Sequence, residues 1–106
     1  MITLVADVGG TQSRLGLVQN GILNEASIRH FLNDKFNSFY EVIAEYLHAQ
    51  KAIKISSCVI AIAGPIVEGE ASFTNLDWKI SDTDIEKLTY CDNVVLINDL
   101  TSLGYS

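Results

Sequence analysis

The chain has 106 residues, of which 48% are hydrophobic, and it carries a formal net charge of −6 at pH 7. This length and composition predict a single folded domain and exclude a disordered chain. The acidic balance argues against binding to nucleic acid or to anionic membranes, because both need a basic surface, and no stretch approaches the ~20 apolar residues of a membrane-spanning helix.

The first third of the chain predicts three consecutive strands joined by tight turns. Residues 2–8 are short and rich in β-forming side chains, and they end at Gly9-Gly10. An extended pattern resumes over residues 14–18, and Asn20-Gly21 is a strong hairpin signal before a third strand over residues 22–31. We therefore expect an antiparallel meander.

The pattern then changes to a helix followed by a buried strand. Apolar residues recur at helical spacing from residue 39 to about residue 50, and Ser38 and Glu41 are placed for a capping box. Residues 57–63 form an almost continuous apolar run, which is typical of a strand covered on both faces. Gly64-Pro65 ends that strand.

The last part predicts a small hairpin, a short helix and another buried strand. The hairpin covers residues 66–74 with its turn at Glu68-Gly69, Ser81 caps a helix through Leu88, and residues 94–97 form the strand. The order β-β-β-α-β, hairpin, α-β predicts an α/β fold with a mixed five-stranded sheet, because the later strands need crossover connections. The chain ends soon afterwards, which we interpret as a cut within a longer protein.

The segment Asp7-Val8-Gly9-Gly10-Thr11 is the first candidate site. Its glycines allow a sharp turn whose backbone N–H groups approach a ligand, and such a turn can hold phosphate oxygens. Asp7 can bind Mg²⁺ directly or through water, and Thr11 offers a hydroxyl to the same phosphate. The alternative is an ordinary β-hairpin in which the two glycines only supply a positive φ.

Asn98-Asp99 is the second candidate site, because it directly follows the predicted strand over residues 94–97. The carboxyl ends of strands in α/β sheets generally bind ligands. Asp99 can accept the proton of a hydroxyl that attacks a phosphoryl group, and Asn98 can position the substrate by hydrogen bonds. The alternative is an Asx-type turn or a helix N-cap.

The third candidate site combines Gly64-Pro65 with the loop over residues 74–78. A strand end beside a polar loop with one aromatic residue suits a sugar pocket, which needs amide groups next to an apolar surface. We expect Asn75 to face a hydroxyl and Trp78 to pack beneath the loop.

Other polar residues predict no site. Cys58 and Cys91 fit no metal-binding spacing, so we expect buried thiols in a reducing cytoplasm. His30 and His48 have no partners at ligand spacing and are expected at the surface. For Arg14 both a phosphate contact and a salt bridge stay open.

With these motifs in this order, the chain resembles the bacterial glucokinase family, within the ribonuclease H-like fold group of hexokinases and actin-like ATPases. The resemblance covers residues 4–99 and implies ATP-dependent phosphorylation of glucose at its 6-hydroxyl, in glycolysis, with Mg²⁺, by a cytoplasmic homodimer. The matching segments are Asp7-Val8-Gly9-Gly10-Thr11 with Arg14-Leu15, Ile62-Ala63-Gly64-Pro65-Ile66, Thr74-Asn75 with Trp78, and Ile97-Asn98-Asp99.

The resemblance also implies a role for each matching residue. Asp99 is the implied catalytic base and Asn98 a sugar ligand, and Gln12 and Leu100 are mild departures from residues that the family often has there. The implied substrate-binding residues are Asn98, Asp99, Asn75, Gly64 and Pro65; those implied to meet the phosphates of ATP are Asp7, Gly9, Gly10 and Thr11, with Mg²⁺ at Asp7.

Residues 1–106 then correspond to the N-terminal small lobe of a two-lobe kinase, and the C-terminal lobe is the missing partner. Because phosphoryl transfer needs both sides of the cleft, we expect the isolated lobe to be nearly inactive. We also expect the surface that meets the other lobe to be partly apolar and to favour self-association.

Three alternatives stay open from the sequence. A kinase for fructose, mannose or an N-acetylated hexose would share the phosphate turn and Asp99, and would differ in the loop over residues 74–78. A non-catalytic sugar-binding or regulatory module would usually have lost these residues. An actin-like structural ATPase is not supported by Asn98-Asp99.

Overall fold

The computed structural model describes residues 1–50, 53–73 and 78–98. These residues form two sheets and two α-helices, and neither helix is long and apolar enough to cross a membrane. The elements are β1 (Ile2–Val8), β2 (Gln12–Gln19), β3 (Ile22–Leu32), α1 (Phe39–Ala49), β4 (Ser57–Ile62), β5 (Ile66–Val67), β6 (Glu70–Ser72), β7 (Lys79–Ser81), α2 (Asp82–Thr89) and β8 (Val94–Asn98).

The larger sheet has five strands in the order β3-β2-β1-β4-β8. Strands β1, β2 and β3 are antiparallel neighbours, whereas β4 runs parallel to β1 and β8 runs parallel to β4. The parallel pairs require crossover connections, and α1 and α2 lie in those connections. The predicted mixed five-stranded sheet with helices packed on it is confirmed.

Local signals account for the antiparallel part of this sheet. Asn20 and Gly21 have φ angles of 54° and 83°, which a two-residue hairpin turn of the favoured type requires. The pairing of β2 with β3 shifts register between Leu15 and Leu17. At this bulge the Leu17 N–H donates to the Ser27 hydroxyl at 2.9 Å, so a side chain satisfies this buried donor where the ladder is interrupted.

Helix α1 begins where the sequence predicts. The Ser38 hydroxyl accepts a hydrogen bond from the Glu41 N–H at 3.3 Å, while the Glu41 carboxylate accepts from the Asn37 N–H at 2.7 Å. In a standard capping box the Glu41 side chain would accept from the N–H of Ser38, the N-cap. Here it accepts from the N–H of Asn37, the residue before the N-cap. The face of α1 that enters the core carries Phe39, Val42, Ile43 and Tyr46.

The predicted small hairpin is present but belongs to a three-stranded sheet. Its turn has positive φ at Glu68 (53°) and Gly69 (77°), as predicted for a tight turn. The third strand, β7, pairs with β6 and was not predicted, because three residues carry too weak a pattern. Helix α2 follows Ser81, but the Ser81 hydroxyl shares a hydrogen bond with the Thr83 hydroxyl and caps no backbone N–H.

The core lies on one face of the larger sheet. Alternate residues of β1 and β4 lie side by side on this face, because the two strands are paired in register. The buried side chains of both helices belong to the same cluster. The opposite face is only partly covered within the described ranges. There Val95 and Ile97 of β8 are 50% and 45% exposed. The prediction that β8 is a buried strand is therefore wrong for this part of the molecule, and β4 is fully covered on one face only.

Candidate functional site

The three candidate sites of the sequence begin at the same edge of the larger sheet. Val8, the last residue of β1, pairs with Ile62 at the end of β4, and Ile62 pairs with Asn98 at the end of β8. Because these three strands are parallel, their carboxyl ends lie side by side. This is the edge at which α/β sheets bind ligands.

The turn after β1 presents backbone donors at that edge. The Gly9 N–H donates to the Gln12 carbonyl at 2.9 Å, which closes the turn. Neither Gly9 nor Gly10 has a positive φ, so the alternative in which they only supply that conformation is wrong. Among the residues that the structure describes, the N–H groups of Gly10 and Thr11 have no hydrogen-bond partner. A turn with free N–H groups can hold an anion.

Asp7 lies at the end of β1 beside this turn. Its Oδ2 is 3.5 Å from Nη2 of Arg14, which sits opposite Asp7 on β2. Of the two options that the sequence left for Arg14, the structure therefore shows the salt bridge. Both side chains are about half exposed, so the pair adds ~1 kcal/mol or less to stability.

One carboxylate next to a turn that can hold an anion fits the way proteins hold Mg²⁺. This ion keeps several waters and usually takes one or two protein carboxylates together with substrate phosphates. Asp7 supplies one half-exposed carboxylate. In the described ranges no group of three or more His, Cys, Asp or Glu side chains is placed to hold a metal ion.

Asn98 and Gly64 connect the ends of β8 and β4. The Asn98 side-chain Nδ2 donates a hydrogen bond to the Gly64 carbonyl, 34 residues away in the sequence. Gly64 is buried, and a Cβ at this position would lie 2.8 Å from the Ser72 carbonyl oxygen of β6. Only glycine therefore lets the small sheet approach the end of β4 so closely. Pro65 follows in an exposed position.

Two predicted site residues, Asp99 and Asn75, lie outside the described residues. Trp78, directly after the loop that carries Asn75, is 5% exposed and packs against the ring of Phe39, with ring centroids 6.2 Å apart. Trp78 is therefore a core residue, as the expectation that it packs and does not stack on a sugar requires, while the loop itself lies outside the described residues.

Asn33 is part of the site and was not found from the sequence. Its side chain is fully buried and contacts the turn after β1, although it lies more than 20 residues further along the chain. The only local signal is an asparagine at a strand end, which usually indicates a turn. Its hydrogen bonds depend on the pairing of β2 with β3, and the sequence pattern does not reveal them.

Both cysteines lie towards the end of β4 and β8 that is opposite to the candidate site, whereas His30 pairs with Arg14 across β2 and β3. Cys58 and Cys91 are free and buried, as expected. Burial, and then the neighbouring Cys91, raises the pKa of the Cys58 thiol to about 12, so this thiol is a packing group and no nucleophile. His30 and His48 are exposed, as predicted.

The family model for glucokinase matches residues 4–106. The chain belongs to the glucokinase family. A glucokinase of Caulobacter vibrioides is 35% identical over 103 residues, which cover 93% of this chain and 30% of the relative. The chain thus spans about 30% of the length of the curated glucokinases that it matches.

Solved structures of glucokinases share this fold. The glucokinase from an Antarctic psychrotroph superposes with a TM-score of 0.81 at 29% identity, over 98% of this chain and 34% of that protein. A ROK-family glucokinase from Streptomyces griseus, solved in complex with glucose and AMPPNP, gives a TM-score of 0.67 at 20% identity, over 92% of this chain and 33% of that protein. The predicted fold class, that of sugar kinases in the actin-like group, is confirmed.

Proposed function

We propose that residues 1–106 form the N-terminal small lobe of a two-lobe kinase that transfers the γ-phosphoryl group of ATP to the 6-hydroxyl of glucose. The observation that carries this proposal is that the phosphate turn, the Gly64 loop and Asn98 meet at one edge of the sheet in a chain of the glucokinase family. The two lobes would enclose the substrates between them.

The turn over residues 9–11 binds the phosphates of ATP in this proposal. Its support is the pair of N–H groups at Gly10 and Thr11 that have no partner among the described residues, together with a relative of the same fold that was solved with AMPPNP. Asp7 would hold Mg²⁺, directly or through water. When bound, the ion neutralises charge on the phosphates.

The sugar lies against the ends of β4 and β8, next to the Gly64-Pro65 segment and Asn75. The bond from Asn98 to the Gly64 carbonyl supports this, because it holds a sugar-binding amide and the adjoining loop in one arrangement. Asp99 acts as the base. Its carboxylate takes the proton of the 6-hydroxyl while that oxygen bonds to the γ-phosphorus and the bond to the β-phosphate oxygen breaks, releasing ADP.

The other properties of the parent enzyme follow from the same proposal. The two free, buried thiols agree with a reducing cytoplasm. The C-terminal lobe would supply the remaining sugar and adenine contacts, and a homodimer of the complete protein stays a prediction of the family resemblance. The 106-residue chain by itself would show no sugar-dependent ATP turnover.

A coupled assay for ADP release, run with the complete protein and a panel of hexoses, tests the proposal. We expect turnover with glucose and a loss of about 10²- to 10⁴-fold in Asp99→Asn, which is the contribution typical of a general base. Asp92→Asn is the matched control, because Asp92 is an exposed carboxylate near the opposite end of β8.

Two outcomes would contradict the proposal. A folded complete protein that phosphorylates no hexose would favour a non-catalytic binding module. Preference for another hexose over glucose would reassign the substrate while leaving Asp99 as the base.

A further inference from the structure

Asn33 is the most completely hydrogen-bonded polar residue among the described residues of the site. It is fully buried and begins the short 3-10 turn, Asn33–Lys35, that follows β3. Its backbone N–H donates to the Thr11 carbonyl at 2.9 Å, and its carbonyl accepts from the Phe36 N–H at 3.1 Å. Its side-chain Nδ2 donates to the Gly9 carbonyl at 2.8 Å, and its Oδ1 accepts from the Ser13 hydroxyl at 2.7 Å.

Three of these four bonds join Asn33 to the phosphate turn, residues 9–11, or to Ser13, the second residue of β2. They reach Gly9, Thr11 and Ser13, in addition to the bond from the Gly9 N–H to the Gln12 carbonyl that closes the turn. Asn33 therefore holds both ends of the turn from the interior side.

Because the peptide group is planar, the bond from Asn33 Nδ2 to the Gly9 carbonyl also fixes the direction of the Gly10 N–H. The Gly9 carbonyl and the Gly10 N–H belong to one peptide unit, and the described chain contains no cis peptide bond. In a trans peptide the C=O and N–H groups point in opposite directions. Since the Gly9 carbonyl points inward to Asn33 Nδ2, the Gly10 N–H points away from the interior.

We propose that Asn33 is a positioning residue that holds the Gly9–Gly10 peptide in the orientation at which its N–H faces a phosphate of ATP. This inference rests on the proposed function, in which the turn binds ATP. A donor fixed before binding costs no reorganisation when the anion arrives, and this is how preorganised N–H groups stabilise charge.

The test variant is Asn33→Asp in the complete protein. It keeps the shape of the side chain but replaces the Nδ2 donor with an oxygen that repels the Gly9 carbonyl. The control is Ser27→Ala, because Ser27 is also buried and also bonds backbone groups of the β2–β3 hairpin, far from the turn. Both variants lose a buried polar contact, but only Asn33→Asp alters the turn.

We expect Asn33→Asp to raise the KM for ATP, and the Kd for AMPPNP measured by calorimetry, by about tenfold or more, since a hydrogen bond to a charged group is at stake. The KM for glucose should stay within about twofold, and Ser27→Ala should lower the melting temperature without changing the KM for ATP. An unchanged ATP KM in folded Asn33→Asp, or an equal rise in Ser27→Ala, would overturn the inference.

If Asn33→Asp does not fold, a measurement on the unaltered protein tests the inference instead. By amide-proton NMR, the Gly10 N–H should exchange rapidly without nucleotide and become protected when AMPPNP is added. Protection of Gly10 in the nucleotide-free protein would overturn the inference.

The failure of the proposed function and the failure of the Asn33 inference can be told apart by measuring AMPPNP binding and hexose phosphorylation separately. A protein that binds AMPPNP but phosphorylates no hexose would remove the kinase proposal, and the Kd comparison would still decide the role of Asn33. A protein that does not bind AMPPNP at all would remove both.

Discussion

Gly64 offers the sharpest test of how the site is packed, through Gly64→Ala. An ideal Cβ at this residue would lie 2.8 Å from the Ser72 carbonyl oxygen, whereas ordinary contacts of a Cβ begin at 3.4 Å. The φ angle of Gly64 lies outside the left-handed region, so alanine is acceptable to the backbone itself. The cost comes from the contact, and a backbone carbonyl within a sheet cannot rotate away as a side chain would.

The expected loss is about 1–2 kcal/mol of unfolding free energy. Forcing an extra carbon into a packed site costs about 1–3 kcal/mol, and alanine recovers about 0.4–1 kcal/mol by restricting the unfolded chain. For a domain of this size, 1 kcal/mol shifts the melting temperature by about 4–8 °C. Gly64→Ala should therefore melt about 5–15 °C lower.

Thermal unfolding of the 106-residue chain, followed by circular dichroism, measures this shift. Gly9→Ala is the matched control, because a Cβ there would meet its nearest atom, the Gln12 carbonyl oxygen, at an ordinary 3.4 Å and the φ angle is again permitted. Gly9→Ala should melt about 2–8 °C above the parent chain, because only the gain from restricting the unfolded chain remains there. Equal melting temperatures for Gly64→Ala and the parent, or equal losses in both variants, would refute the reasoning.

Two further predictions concern the core. Tyr46→Phe removes the hydroxyl that donates to the Ser27 carbonyl at 2.7 Å and leaves a buried acceptor unsatisfied, so urea denaturation should show a loss of about 1–3 kcal/mol. The control Tyr90→Phe should show no change, since Tyr90 is 93% exposed. The second prediction is a loss of stability at alkaline pH through Cys58. Its thiol has a pKa of about 12 in the fold against an ordinary 9.0, so its stabilising effect is complete below pH 9 and declines as the pH rises towards 12, by about 1.4 kcal/mol per pH unit at most. Between pH 8 and pH 10.5 the denaturant concentration at the unfolding midpoint should fall less in Cys58→Ala than in the parent chain. An equal fall in both proteins would contradict the raised pKa of the Cys58 thiol.

Much of the fold could be predicted from neighbouring residues. Asn20-Gly21 and Glu68-Gly69 specify tight turns through their tolerance of positive φ, and the structure has both. Ser38 and the apolar spacing that follows it specify the start and the buried face of α1. These features need only a few adjacent residues, because turn geometry and capping are local interactions.

The edge of the sheet that carries the candidate site could also be predicted from the sequence. Parallel strands follow from the crossover connections, and their carboxyl ends must then lie together. The Asp7 to Thr11 segment, Gly64 and Asn98 could be assigned to that edge for this reason. The sequence could not show that the Ser72 carbonyl leaves no room for a side chain at residue 64.

Only the tertiary structure decided the remaining features. Strand β7 exists through its pairing with β6, and the exposure of Val95 and Ile97 depends on which elements cover each face of the sheet. Asn33 is the clearest case. The residues that its side chain contacts, Ser13 and Gly9, lie 20 and 24 positions away. Local propensity determines the turn that Asn33 begins, but long-range strand pairing determines what its side chain holds in place.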